Sequence, residues 1–136
     1  MNTTNIGNAP TREYKVLLQG NSVVGIVPHW NPCFSANHND WTKEDINYLL
    51  ASKSWNYEEA KKMMMCESSG NPSAINWLDN HGVCMGSFGL LQMGCFRGTQ
   101  EELFNPEINI RLAYELYKRN GGWSRDWVNC WSKIRQ

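Results

Sequence analysis

The sequence predicts a mainly α, α+β domain: a compact set of helices with a small β or loop lobe set into it. Three observations carry that prediction. From residue 41 onward, capping residues precede stretches whose apolar side chains recur at helical spacing. Residues 71–104 interrupt them with a segment rich in Gly, Asn, Ser and Asp, the composition of turns and short hairpins. The length, 136 residues, fits a domain of this kind with its own core.

The elements follow in order. Residues 1–13 read as a loosely held arm. "EYKVLLQGNSVVGIVPHW" places two β-branched stretches around Gly20-Asn21-Ser22 and predicts a small hairpin. "NPCFSANHND" is an irregular connection, so residues 1–40 form an N-terminal arm with a hairpin and 41–136 the main domain. Thr42 caps a first helix with Ile46, Leu49 and Leu50 on one face, and Trp41 and Ile46 hold the two positions of a hydrophobic staple. Asn56 caps a second, with Glu59 at the reciprocal position of a capping box, and Gly70 and Pro72 end it. Asn105-Pro106 starts a third, closed by Gly121, whose apolar residues Ile108, Ile110, Leu112, Ala113, Tyr114, Leu116 and Tyr117 cover much of its circumference. Ser124 caps a fourth that carries Trp127, Cys130, Trp131 and Ile134.

Composition narrows the function classes. Thirteen basic residues balance thirteen acidic ones, which argues against nucleic acid or an acidic membrane as partner, since both need clustered positive charge. No apolar run approaches the roughly 18 residues that span a bilayer. The polar start "MNTTNIGNAPTREYK" lacks the apolar centre of a secretory signal. Five cysteines fit an oxidising destination, with two disulfides and one thiol left over. The competing zinc set His29, Cys33 and His38 lacks a fourth ligand, so no metal and no cofactor is expected. Seven tryptophans and five tyrosines fit either a packed core or a groove that stacks flat ligands.

The second helix ends in "MMMCE". Glu67 follows Met64 by three residues, Met63 by four and Ala60 by seven, so the four share one helical face. Burial against methionine disfavours the ionised form, and the helix C-terminus pushes the same way. An acid kept protonated near neutrality suits general acid chemistry. The alternative is an exposed glutamate at a frayed helix end.

"ESSGNPSAIN" followed by "GSFGLLQM" resembles the paired signature of the lysozyme-like superfamily, closest to soluble lytic transglycosylases and goose-type lysozymes. A third block, "LFNPEINIRLAYELYKRNGGWSRDW", is similar to that family's Asn-Pro-x-x-Asn-Ile helix and Gly-Trp ending. The three blocks span about residues 55–131 in the family's order. The resemblance implies a lysozyme-like α+β fold with a substrate groove between the helices and the lobe, and cleavage of the β-1,4 bond between N-acetylmuramic acid and N-acetylglucosamine in peptidoglycan. It puts Glu67 in the catalytic position, with Ser87, Gln92 and Asn76 in the substrate motifs and Gly89 where a sugar approaches closely. Tyr114, Tyr117, Trp123 and Trp127 are further groove candidates, each equally suited to the core, and a staple to Val128 explains Trp123 without any sugar. Cys84 and Cys95 are placed to cross-link the lobe and Cys66 and Cys130 to tie two helices, although the sequence leaves the pairing open.

In animal-type lysozymes an Asp stands where this chain has Ser87. The resemblance therefore implies a lytic transglycosylase with Glu67 as the single carboxylate, giving 1,6-anhydro products. The alternative is hydrolysis with Asp79 as second carboxylate, as in a goose-type lysozyme or phage endolysin, and Asp79 reads equally as a turn residue beside Asn80 and Gly82. From another class, a non-catalytic wall-binding or virion module would keep the groove without needing the acid. The expected partner is the glycan strand, met by a monomer outside the cell, in the periplasm or on a virion.

Overall fold

The computed structural model describes the backbone of residues 12–19 and 22–30, and residues 41–135 in full. The remainder of the predicted arm, the Gly20-Asn21 turn and the connection through Cys33 and His38 lie outside the described residues. β1 (Arg12–Gln19) and β2 (Ser22–Trp30) pair antiparallel as the expected hairpin, with a register irregularity between Leu17 and Leu18. Arg12 and Glu13, which the sequence assigns to the arm, belong to the strand.

The first four helices start where polar side chains satisfy free amides. α1 (Lys43–Ala51) is capped by Thr42, whose hydroxyl accepts from the Asp45 amide while the Asp45 carboxylate accepts from the Thr42 amide. Its Ile46, Leu49 and Leu50 are buried. α2 (Tyr57–Ser68) is capped by Asn56, which accepts from the Glu59 amide at 2.8 Å. The reciprocal bond from Glu59 does not form. Glu59 Oε1 instead accepts the indole N–H of Trp123 at 2.7 Å. Trp123 is 1% exposed, so that N–H would otherwise be buried unpaired, a costlier fault than a half-made cap. α2 closes where Ser69 turns left-handed (φ 57°) ahead of Gly70 (φ 77°).

The inserted lobe is a three-stranded antiparallel sheet in the order β3 (Ile75–Asn80), β4 (Met85–Phe88), β5 (Met93–Gly94), followed by a 3-10 turn at Cys95–Arg97. Cys84 and Cys95 are joined across this lobe, and Cys66 and Cys130 are joined between helices, with Cα–Cα separations of 6.1 and 5.8 Å. α3 (Gln100–Phe104) is a short helix inside the stretch that the sequence reading gives to turns. Its signal was Thr99 three residues before Glu102, and both bonds of that capping box are made. α4 (Pro106–Asn120) begins on Asn105, whose side chain accepts from the Glu107 and Ile108 amides, and ends on Gly121. α5 (Val128–Ile134) starts later than predicted, and Ser124 does not cap it. The chain is held there by buried Trp127, whose indole donates to Leu91 O at 2.9 Å. Val128 is exposed, so no staple joins it to Trp123.

Leu50, Ala60, Met63, Leu90, Leu91, Leu103, Ile110 and Ala113 are fully buried, and they join α1, α2, α3 and α4 to the segment after β4. Buried Asn109 stitches that joint. Its Nδ2 donates to Phe88 O and Leu103 O, and its Oδ1 accepts from the Leu91 amide. Among the described residues no helix is long and apolar enough to cross a membrane.

Candidate active site

Glu67 stands in the last turn of α2, half-buried, with Met63 and Met64 buried on the same face and Met65 turned outward. Loss of hydration raises its pKa from the ordinary carboxylate value of 4.5 to about 7, and the negative charge of Asp79 pushes it the same way. Lys133 of α5 opposes both. The Cys66–Cys130 bridge, one residue before Glu67, holds α5 and hence Lys133 beside this helix end. Near neutral pH the acid is therefore balanced between its two protonation states.

Asp79 belongs to β3 and is not the turn residue. Asn80 takes that part, accepting the Gly82 amide on Oδ1 at 2.8 Å. Asp79 Oδ2 instead accepts from the Ser87 hydroxyl at 2.5 Å and lies 3.4 Å from His81 Nε2. Pairing between β3 and β4 shifts register between Asn76 and Asn80, and that irregularity brings Asp79 onto Ser87. Asp79 and His81 line a polar cleft with Gln92, Arg97, Asp126 and Trp127. Glu67 does not line this cleft; Asp79 is its electrostatic link to it.

The other candidates divide. Ser87 is 1% exposed and serves Asp79 and His81, which excludes it as an attacking nucleophile despite the Ser, His and Asp gathered here. In such a triad the base stands between acid and nucleophile, whereas here Asp79 bonds the serine itself. Gln92 holds a left-handed backbone (φ 52°), and its Nε2 donates to Ala74 O and Gly89 O at the edge of the cleft. Asn76 is exposed beside Ser87 and accepts from the Leu78 amide.

Gly89 is buried at φ 84°, and a Cβ there would lie 2.2 Å from Leu103 O and 2.3 Å from Asn109 Nδ2. The close approach at Gly89 is thus made by the protein's own chain. Trp123, fully packed against Trp55, Tyr117 and Trp127, offers no face to a sugar. Tyr114 and Tyr117 also pack on Trp55, with the Tyr114 hydroxyl bonded to Ser54, and neither lines the cleft.

His81 is the residue that sequence reading missed; nothing in "LDNHG" marks it, because its role depends on the strand register. Its ring meets the edge of Phe96, beside Gly94. Among the described residues no cluster of three or more His, Cys, Asp or Glu could hold a metal. Of the zinc set, Cys33, His38 and the His29 side chain lie outside them. Comparisons with protein-family models, curated proteins and solved structures return no match to this chain.

Proposed function

We propose that this chain is a peptidoglycan-cleaving glycosidase acting on the β-1,4 bond between N-acetylmuramic acid and N-acetylglucosamine, with Glu67 as general acid and Asp79 as second carboxylate. The observation that carries the reading is a half-buried Glu67 with its pKa raised to about 7, within the electrostatic reach of an Asp79 that is held at a polar cleft. Protonated Glu67 donates to the bridging oxygen, and the glycosidic bond breaks toward the departing sugar. Asp79 faces the positive charge that develops on the ring carbon, and takes a proton from the water that attacks it. The acid step needs a carboxyl that keeps its proton near neutrality, which the burial of Glu67 supplies.

The orientation of Asp79 shifts the preference from the single-carboxylate scheme that the resemblance implies to hydrolysis. The second reading is a lytic transglycosylase in which Glu67 works alone, protonating the leaving oxygen and then deprotonating the 6-hydroxyl to give a 1,6-anhydro product. The absence of Glu67 from the Asp79 cleft favours it. The two disulfides suit work outside the reducing cytosol.

Purified sacculi treated with wild type, Glu67→Gln and Asp79→Asn, with products read by mass spectrometry, test both readings. Hydrolysis predicts reducing ends and loss of product in both variants. Anhydro ends with Asp79→Asn still active establish the transglycosylase. No product from wild type leaves a non-catalytic wall-binding or virion module, and full activity of Glu67→Gln overturns the assignment of Glu67 as the general acid.

A further inference from the structure

The Ser87 hydroxyl carries one proton, and that proton is committed to Asp79 Oδ2 at 2.5 Å. His81 Nε2 lies 2.9 Å from Ser87 Oγ. With its proton spent, Ser87 Oγ meets His81 only as an acceptor, so the imidazole carries its hydrogen on Nε2. The contacts form a one-way chain from His81 Nε2–H to Ser87 Oγ–H to Asp79 Oδ2. We propose that His81 is a positioning residue for Asp79, fixing the carboxylate through buried Ser87 in the orientation used at the cleft.

The surroundings are built for a fixed ring. Phe96 meets the imidazole edge at a centroid distance of 5.2 Å. A Cβ at Gly94 would stand 2.7 Å from the Phe96 ring and 3.0 Å from His81 Cε1, so the ring occupies space that only glycine leaves. The Cys84–Cys95 bridge clamps the turn after His81 to the start of the 3-10 turn that carries Phe96. The Ser87 hydrogen bond and the 3.4 Å approach of His81 both fall on Oδ2 of Asp79, which leaves Oδ1 outside the chain. A carboxylate held by one oxygen keeps its direction without being neutralised by a buried partner.

The proposal rests on the catalytic reading of Asp79, and two measurements separate the two ideas. The first needs no activity: ¹⁵N NMR of the labelled imidazoles, with the ring neutral, in wild type and Ser87→Ala. A protonated Nε2 and bare Nδ1 at His81 are expected in wild type, with the Nε2 resonance shifted in Ser87→Ala; a protonated Nδ1 in wild type, or an Nε2 resonance unmoved in Ser87→Ala, overturns the chain.

The second is steady-state cleavage of soluble labelled glycan oligomers. His81→Phe keeps a ring against Phe96 but no donor, and is expected to lower kcat about tenfold with KM within about twofold. His81→Gln restores an N–H and is expected to recover most of that loss. Wild-type kcat in His81→Phe, or equal loss in His81→Gln and His81→Phe, overturns the positioning role. Absence of cleavage by wild type overturns the catalytic reading and any positioning for it, while the NMR result still decides whether the hydrogen-bond chain exists.

Discussion

Asp79→Asn isolates the electrostatic link between the two carboxylates. The substitution keeps the shape and an oxygen to accept from Ser87, and removes one negative charge. Burial is the larger cause of the raised Glu67 pKa, Asp79 the smaller, and Lys133 acts against both. Asp79 supplies the smaller part of the rise from 4.5 to about 7, so its removal lowers the Glu67 pKa and leaves it above the ordinary carboxylate value. The sign follows from charge: with the neighbouring anion gone, ionised Glu67 is less disfavoured and loses its proton at lower pH. A ¹³C titration of the Glu67 carboxyl reads this without any need for turnover. In any active variant the alkaline limb of the pH profile moves the same way. A Glu67 pKa that is unchanged or higher in Asp79→Asn refutes the coupling. A fall all the way to 4.5 refutes the primacy of burial.

Three other outcomes are expected. Glu67→Gln stabilises the fold at pH 8 relative to pH 4, because the native acid holds its proton up to about 7 and the unfolded one releases it near 4.5. Stability from this group is whole below 4.5 and lost as pH rises through 7; after discounting for partial exposure the difference is about 1–2 kcal/mol, and equal urea midpoint shifts at both pH values contradict it. Gly89→Ala adds strain at φ 84° to a clash with backbone Leu103 O and costs about 3 kcal/mol or more, with a loss under about 1 kcal/mol in denaturant melts as the contrary result. Replacing Cys66 and Cys130 by Ala removes a cross-link spanning 64 residues and costs about 2–4 kcal/mol, which thermal melts with and without reductant check against wild type.

What was legible in the sequence was local. Thr42, Asn56 and Asn105 announce helix starts because a side-chain oxygen two or three residues ahead of a free amide is a short-range event. The shared face of Met63, Met64 and Glu67 follows from helical period alone. What depended on distant partners was not legible. Glu59 leaves its cap for Trp123, 64 residues away. Ser124 loses its helix because Trp127 is anchored to Leu91, 36 residues away. Asp79 looks like a turn residue until the irregular register of β3 on β4 turns it toward Ser87, and His81 acquires meaning only with it. Gly89 was marked for a close approach, but the approaching group is the protein's own Asn109.

The position of Glu67 is costly to the fold, and the surrounding covalent structure answers that cost. Its helix end carries partial negative charge, has no basic residue in the last turn, and is sealed by two methionines, all of which oppose ionisation. A glutamate turned toward solvent at this helix end would not carry that cost. The bridge at the preceding residue ties this turn to α5, and its contribution of about 2–4 kcal/mol exceeds the roughly 1–2 kcal/mol lost when Glu67 is ionised in place. The second bridge does the same for the lobe that carries Asp79 and His81, which has only short strands and little core of its own. One cross-link therefore adjoins Glu67, and the other lies a few residues along the chain from Asp79, in the turn after its strand. On the catalytic reading we propose, that placement keeps the direction of each acid while its protonation changes.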